Sequence, residues 1–476
     1  MGARTRGGGT DARALAALAR WVRAHGATMD GTLTTHAMSA RYGACGVAMR
    51  DADEGEVIFS LPMRSRADGG ALAMTTTEAT RRDGALAALA RALETSGARA
   101  RLSGTIESEH EFPLDSTSTA TLAVALMQQT NGGASARWRA YCDALPAAVD
   151  SLMMWSDEEL EVLQGSALRQ RAVFRRDLCK REYDALFPAL ARADPETFGD
   201  VEAYSFDVFR WAYATVMARA FVLPDLQCMA LLPGLDIYNS ARDAEKCVVE
   251  RDEGACEVDD SSSFDESEAR VTLRVGVGGV QAGSQLFHDY ADHASGGALL
   301  EFGFVYHGER ERGSGVDALD VCLKPALARL DARSRAFLVD EDVFHKFNVR
   351  KSLTFEISNV GGVYKPALKG IECIKPEMWR AARALALRPD EPLPSSLDAR
   401  LDDDGERRAR DILIRVLRDE RERYSATTID EDIDLLRRAS DGGPSRRREA
   451  MALDVRLGEK LLLDDVVASL LAHPPS

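Results

Sequence analysis

Two short clusters, roughly fifty residues apart, hold the side chains whose types and spacing could do chemistry. The first is Leu231-Leu232-Pro233-Gly234-Leu235-Asp236-Ile237-Tyr238-Asn239-Ser240, an apolar run that ends in a small polar group. The second is His288-Asp289-Tyr290, followed by Leu299-Leu300-Glu301-Phe302-Gly303-Phe304-Val305. An acid beside an amide, then a tyrosine, then an aromatic-Gly-aromatic end is unusual spacing for core packing alone. A buried strand followed by a turn is the plainer alternative for each cluster taken singly. A third candidate is Arg219, near the end of an apolar helical run, because a guanidinium can grip a carboxylate with two parallel bonds. Helix-dipole compensation by a C-terminal cation is its ordinary alternative. The glycine-rich stretch Arg274–Gly279 does not read as a dinucleotide loop. It runs on into Val280-Gln281-Ala282-Gly283 rather than into a helix, so the required context is missing.

The elements that must position these residues follow from periodicity. A first helix is expected from about Asp11 to His25, with Leu15, Leu18, Trp21 and Val22 on one face, Asp11 as N-cap and Gly26 as stop. Tyr42–Ala48 and Gly55–Pro62 read as two short strands with a tight loop, and small residues such as Gly43 and Ala44 let a backbone approach a ligand closely. Residues 65 to 225 turn mostly helical. Ser156 and Glu159 form a capping box before a long helical stretch to about Arg192, whose buried stripe is expected at Leu160, Leu163, Ala167, Phe174 and Leu178. Ser205–Phe221 is a further helix, with Phe206, Phe209, Tyr213 and Val216 on one face. An acidic, serine-containing loop covers about 241–268. A strand, a turn between Gly278 and Gly283, and a last strand Gln285–Asp289 then lead to Tyr290. Beyond Gly308 the spacing is helical over Leu319–Leu330, Met378–Leu387, Arg407–Tyr424 and Ile433–Ala439, with a possible strand at Leu353–Ile357 and a capping box at Thr428/Glu431.

The bulk numbers narrow the function classes. A chain of 476 residues, 45% hydrophobic, supports two or three cores. Acids exceed bases by 76 to 60, a net charge of −16, which disfavours broad binding to a phosphate backbone and suits a basic protein segment as partner. The eight cysteines include no Cys-x-x-Cys pair, so neither a zinc site nor a disulfide framework is indicated. No apolar run reaches the roughly eighteen residues of a membrane span, and the basic, glycine-rich start Met1–Arg6 lacks the apolar core of a secretory signal. The compartment and the oligomeric state stay open.

The motifs taken in order resemble the SET-domain methyltransferases, in the branch of the Rubisco large-subunit lysine methyltransferase. The matching residues are Pro233, Asp236 and Asn239, then Tyr290, then Leu299, Leu300, Phe302, Gly303 and Phe304. Further matches are Ser135–Tyr141 with Leu145-Pro146, Arg219 with Phe221, and Ser425–Leu436. The departures are Ser240 where that family usually has His, Asp289 and Ala291 around the tyrosine, Ser295 for an Asn, Phe302 for a Tyr, and Tyr42 for a Glu. The resemblance implies an α+β fold. A β-rich SET core over 31–308 would be split by a helical insert at about 65–225, after an N-terminal helix and tail and before a helical substrate-binding domain over 309–476. It implies transfer of a methyl group from S-adenosylmethionine to a lysine Nε of a protein substrate, with no metal. Tyr290 would be catalytic, and Asn239 would bind the amino-acid portion of the cofactor together with backbone groups of Asp236, Ile237, Tyr238 and Ser240. Gly43 and Ala44 would hold the cofactor through their backbone, Arg219 would pair with its carboxylate, and Phe302, Gly303 and Phe304 would wall the channel or the adenine pocket. A histidine as target, or a SET-fold binding module without activity, are the alternatives.

Overall fold

The computed structural model describes residues 11–39, 43–97, 116–133, 136–242, 244–251, 267–290, 293–306, 315–360 and 368–472. The fold is α+β, with twelve strands in small sheets among the described residues. Contacts divide the chain into two compact units, Met1–Met154 with Phe174–Ala291 and Trp155–Val173 with Asp292–Ser476. The second unit thus begins before Gly308 and takes in a piece of the helical insert. Tyr42, Ser135 and Ala291, and most of the acidic loop, lie outside the described residues.

The first unit opens with a helix, Ala12–Ala24. The Ala14 N–H donates to the Asp11 carboxylate (2.7 Å), and Leu15, Leu18, Ala19 and Val22 are buried. Ten strands follow: β1 (Thr34–Ser39), β2 (Gly43–Ala48), β3 (Val57–Pro62), β4 (Met74–Thr75), β5 (Phe221–Leu223), β6 (Cys228–Leu231), β7 (Asn239–Ser240), β8 (Val248–Arg251), β9 (Ala269–Arg274) and β10 (Gln285–His288). They form three sheets, ordered β1-β2-β10-β7, β3-β9-β8 and β4-β6-β5. The neighbours β2 and β3 do not form a hairpin, because β2 pairs with β1 and β10 while β3 pairs with β9. The first sheet matters most for the site. It places β2 and β7, distant in sequence, on either side of β10. Leu286 faces Gly46 in antiparallel register, and Phe287 and His288 face Asn239 and Ser240 in parallel register.

Helices Ala87–Ser96, Ser116–Asn131 and Phe206–Arg219 supply apolar faces to the same core, where Leu89, Leu122, Leu126, Phe209 and Val216 are fully buried. Two sequence expectations need correction. The capped helix after Ser156 ends at Glu161, and the next runs from Ala167 to Ala193. Gly165 between them has φ +85°, so the helical period does not carry across the gap. Leu160 and Leu163 are buried, but Phe174 is 54% exposed, and the stripe of the second helix falls instead on Leu168, Ala172, Cys179 and Leu186.

In the second unit Leu319–Leu330 is not one helix. Ala318–Cys322 is a strand, β11, paired antiparallel with β12 (Thr354–Ser358), and the helix begins at Lys324 with Pro325 in its first turn. Alternate burial of Leu319 and Val321 is the two-residue period of a strand, which a short apolar run shares with a helix. The remaining helices include Pro376–Ala386, Asp403–Glu422, Ile429–Asp441 and Arg447–Ala472, packed on a core of Leu385, Leu413, Leu417 and Leu463.

Candidate active site

The helix Phe206–Arg219 ends where the chain turns extended at Ala220, and this leaves Arg219 on its last turn. The Arg219 Nη1 group donates to the Asp236 carbonyl and to Asp236 Oδ2, each at 3.1 Å. The Tyr141 hydroxyl donates to the same carboxylate oxygen at 2.9 Å. A buried acid therefore has a cation and a phenol as partners, which is what a buried charge needs. Burial pushes the Asp236 carboxyl up, against the pull of Arg219 and the Tyr141 hydroxyl. Burial also works against the Arg219 charge, but Asp236, Tyr141 and Tyr290 together hold that cation more firmly than usual. The family resemblance assigns Arg219 to a ligand carboxylate, and here its Nη1 is bound by the chain itself. Its side chain keeps 23% exposure.

Asp236 sits in a turn that the preceding glycine permits. Gly234 has φ +86°, and a Cβ there would come within 3.0 Å of the Phe59 ring. Leu235–Ile237 form one 3₁₀ turn, and the chain then extends through Tyr238 into β7. Ile237 and Tyr238 point into the core. The Tyr238 ring lies on β2 at Gly46, where a Cβ would come within 2.2 Å of it, and its hydroxyl shares a hydrogen bond with Thr34 at 3.2 Å. The Tyr238 side chain is thus a packing element, and its backbone faces the site.

Asn239 and Tyr290 close the constellation. The Asn239 Nδ2 group donates to the Ala44 carbonyl at 3.0 Å, which ties the Gly43-Ala44 edge of β2 to β7. Tyr290 follows β10 by two residues. Its N–H donates to Ser240 Oγ at 3.3 Å, and its hydroxyl donates to the Tyr238 carbonyl at 3.0 Å. The phenol is only half-buried. Gly43, Ala44, Arg219, Asp236, Ile237, Tyr238, Asn239, Ser240 and Tyr290 are therefore brought to one place in the first unit. Ser240, one of the departures from the family pattern, is what anchors the Tyr290 backbone.

Two further residues belong here that spacing did not single out. Tyr141 serves through its bond to Asp236, a contact across 95 residues that no local pattern announces. His288 is 4% exposed, stacked on Phe221 at 5.3 Å and 20°, and 4.4 Å from the Tyr290 ring. The two-residue period of a strand puts His288 and Tyr290 on one side, which was a usable signal. Phe302, Gly303 and Phe304 fall in the second unit. There Phe302 ends the helix Ser295–Phe302, Gly303 caps it at φ +79°, and the two phenylalanine rings stack at 6.0 Å. Ser295, 2% exposed, starts that helix, and its N–H donates to the Val316 carbonyl at 2.9 Å.

Three small sheets with a helical excursion between β4 and β5, and a tyrosine placed beside the Asn239 turn by the last strand, define a SET-fold protein. No family model matches the chain. It is similar over 97% of its length to the SET domain of LSMT bound to lysine and AdoHcy, with a TM-score of 0.63 and 19% identity, covering 91% of that chain. Among curated proteins it is 27% identical over 340 residues to the [fructose-bisphosphate aldolase]-lysine N-methyltransferase of Arabidopsis thaliana. It is 25% identical over 344 residues to the Rubisco large-subunit N-methyltransferase of Nicotiana tabacum. These matches take in 69% of the chain and 63% and 62% of the two relatives, so the chain spans about three fifths of their length. A shorter match, 22% over 257 residues (50% of the chain, 43% of the relative), is to an actin-histidine N-methyltransferase of Drosophila melanogaster. Within the SET fold, the chain is similar to proteins of the Rubisco large-subunit methyltransferase-like branch.

Proposed function

We propose that the protein transfers a methyl group from S-adenosylmethionine to a lysine Nε of a protein substrate. The observation that carries this reading is the placement of Tyr290. Its hydroxyl is fixed on the Tyr238 carbonyl, and its backbone on Ser240, beside the Ala44–Asn239 tie. A hydroxyl committed as donor to Tyr238 offers its oxygen as acceptor, which suits it to orient an amine.

The residues fit the cofactor on one structural ground. Arg219 is a held cation with donors to spare, at the end of a buried helix and next to the Asn239 turn. In this reading Arg219 binds the cofactor carboxylate. Asn239 and backbone groups of Asp236 to Ser240 bind its amino-acid portion, and Gly43 and Ala44 contribute backbone contacts. When bound, the sulfonium supplies the methyl group: the N–C bond forms as the S–C bond breaks, and the electron pair stays on sulfur. The chain's task is then to hold the amine neutral and aligned. A lysine ammonium, with a reference pKa of about 10.4, loses its proton more readily in an apolar channel, and alignment removes much of the remaining entropic barrier. The helical region after Gly308 is assigned to docking of the protein substrate.

The test is incubation of whole lysate with the protein and labelled S-adenosylmethionine, followed by peptide mapping. Label on lysine supports the reading. Label on histidine supports the second reading, which the Drosophila similarity favours. Absence of label with intact cofactor binding supports a binding module.

A further inference from the structure

Tyr141 reaches the site from the helix Arg139–Ala144, and the proposed mechanism gives it no task. It is 1% exposed. Its hydroxyl donates to Asp236 Oδ2 at 2.9 Å, the same oxygen that accepts from Arg219 Nη1 at 3.1 Å. Burial, and the Asp236 charge beside it, push the phenol well above its usual range, so it keeps its proton and remains a donor. Asp236 is itself only 5% exposed. The charged and titratable groups that face this cluster are Arg219 and Tyr141 at Asp236, Tyr290 at Arg219, and Cys142 at Tyr141. One cation thus stands against one carboxylate, and a ligand carboxylate at Arg219 would be a second. Two anions on one cation in a poorly screened place repel each other, and the repulsion raises the pKa of whichever can take a proton.

We infer that Tyr141 is a positioning residue of the cofactor site: its hydroxyl takes up part of the Asp236 charge and so leaves Arg219 able to hold a ligand carboxylate. This rests on the reading of Arg219 as the cofactor's partner. A phenol suits the task because it donates a hydrogen bond without adding charge and without giving up its proton. Deprived of that hydroxyl, Asp236 keeps only Arg219 and the Gly234 backbone to offset its burial. A second carboxylate arriving at Arg219 then has two consequences open to it. Asp236 draws the guanidinium away from the ligand, or Asp236 takes up a proton from water and loses its charge. The first weakens binding, and the second makes binding stronger as pH falls. With Tyr141 in place, Asp236 stays ionised and neither happens. No covalent bond changes, and the one species moved is a proton from solvent to Asp236.

The experiment measures the affinity of AdoHcy, which carries the carboxylate and no methyl to transfer, for the full chain. Calorimetry at pH 6.5 and pH 8.5, in two buffers of different ionisation enthalpy, also counts the protons taken up on binding. Wild type, Tyr141→Phe, Asp236→Asn and the double variant are compared with one another, so titration of the ligand's own amino group cancels. Tyr141→Phe should bind about tenfold more weakly than the wild type at pH 8.5, the loss of one hydrogen bond to a charged group. At pH 6.5 it should come within about threefold of the wild type, with more protons taken up. In the Asp236→Asn background there is no charge to share, and Tyr141→Phe should change affinity by less than about twofold. That comparison also decides the matter if the single phenylalanine variant does not fold. A tyrosine that only packs would give no loss, or one equal loss at both pH values and in both backgrounds without extra protons. Either result overturns the inference and leaves the proposed function standing. Failure of the folded wild type to bind AdoHcy overturns both.

Discussion

At Tyr290, replacement by phenylalanine removes one oxygen and separates rate from stability. The lost bond to the Tyr238 carbonyl should lower stability by about 1 kcal/mol. Loss of a positioned hydroxyl should lower turnover by roughly 10²–10³, about 2.7–4 kcal/mol, with cofactor affinity little changed. Near-normal turnover in single-turnover assays, together with a lowered melting temperature, would assign Tyr290 to packing. Arg219 is less simple than its motif suggests. Arg219→Ala should weaken S-adenosylmethionine by about 1.5–3 kcal/mol, and it also strands the buried Asp236 carboxylate, at a cost of about 3 kcal/mol in folding. The double variant Arg219→Ala/Asp236→Asn should recover most of the stability and none of the affinity. Recovery of affinity in a titration of the double variant would take Arg219 out of the site.

Among the elements, the most demanding burial is in the second unit, on the helix Arg447–Ala472. Asp432 is fully buried between Lys460 Nζ at 2.7 Å and the Arg456 guanidinium, and Lys460 also donates to the Thr427 carbonyl. Glu459 has no cation partner among the described residues. It accepts from Ser166 and from Tyr424, each at 3.0 Å, and burial raises its pKa to about 8. A raised carboxyl pKa contributes stability in full below the unfolded value of about 4.5, and loses it as pH rises toward 8. Glu459→Gln keeps one acceptor oxygen and sets an N–H donor where the protonated carboxyl has its O–H, with no proton to lose. Chemical denaturation should find it more stable than the wild type at pH 8 by roughly 4 kcal/mol and about equal at pH 4. An unchanged difference across that range would contradict a buried neutral Glu459. The run Ser425–Leu436 that holds Thr427 and Asp432 was legible in the sequence as a capped helix, and Thr428 does cap it. The Glu459 contact with Ser166 spans 293 residues and no local pattern reports it. The same limit explains Phe174 and Leu319–Leu330: a helix break at Gly165 and a strand of five residues both fall below what periodicity resolves. The β7–Tyr290 constellation was expected from the order of the family motifs, and Gly234, at φ +86°, permits the turn that carries its first part. Tyr141 and His288 were not singled out, because tertiary neighbours give them their roles.

Across the whole molecule the buried titratable groups make opposite demands on pH. In the first unit His36 and His288 both have ring nitrogens out of contact with solvent, and burial lowers each to about 4, with Arg23 adding to the effect at His36 and the Asp289 backbone opposing it at His288. A histidine whose folded pKa is depressed contributes fully above the unfolded value of about 6.5. Its contribution is lost as pH falls from there to about 4, because the unfolded chain takes up the proton first. The two shifts together correspond to several kcal/mol, on the order of 3 for each residue. In the second unit Glu459 gains stability as pH falls from about 8 to 4.5. Hydrogen exchange, corrected for intrinsic rates and read from peptides of each unit, should therefore show opposite slopes with pH: protection of β2, β3 and β9 falling below pH 6.5, and protection of the helix Arg447–Ala472 rising below pH 8. His36→Phe supplies the control. Its ring would lie in the aromatic contact that His36 makes with Phe59 at 6.0 Å and Tyr238 at 5.6 Å, with no proton to take up. The variant should lose about half of the acid sensitivity of the first unit and leave the second unit's slope as it was. An acid slope identical to the wild type would mean that His36 is hydrated in solution and titrates as an ordinary histidine.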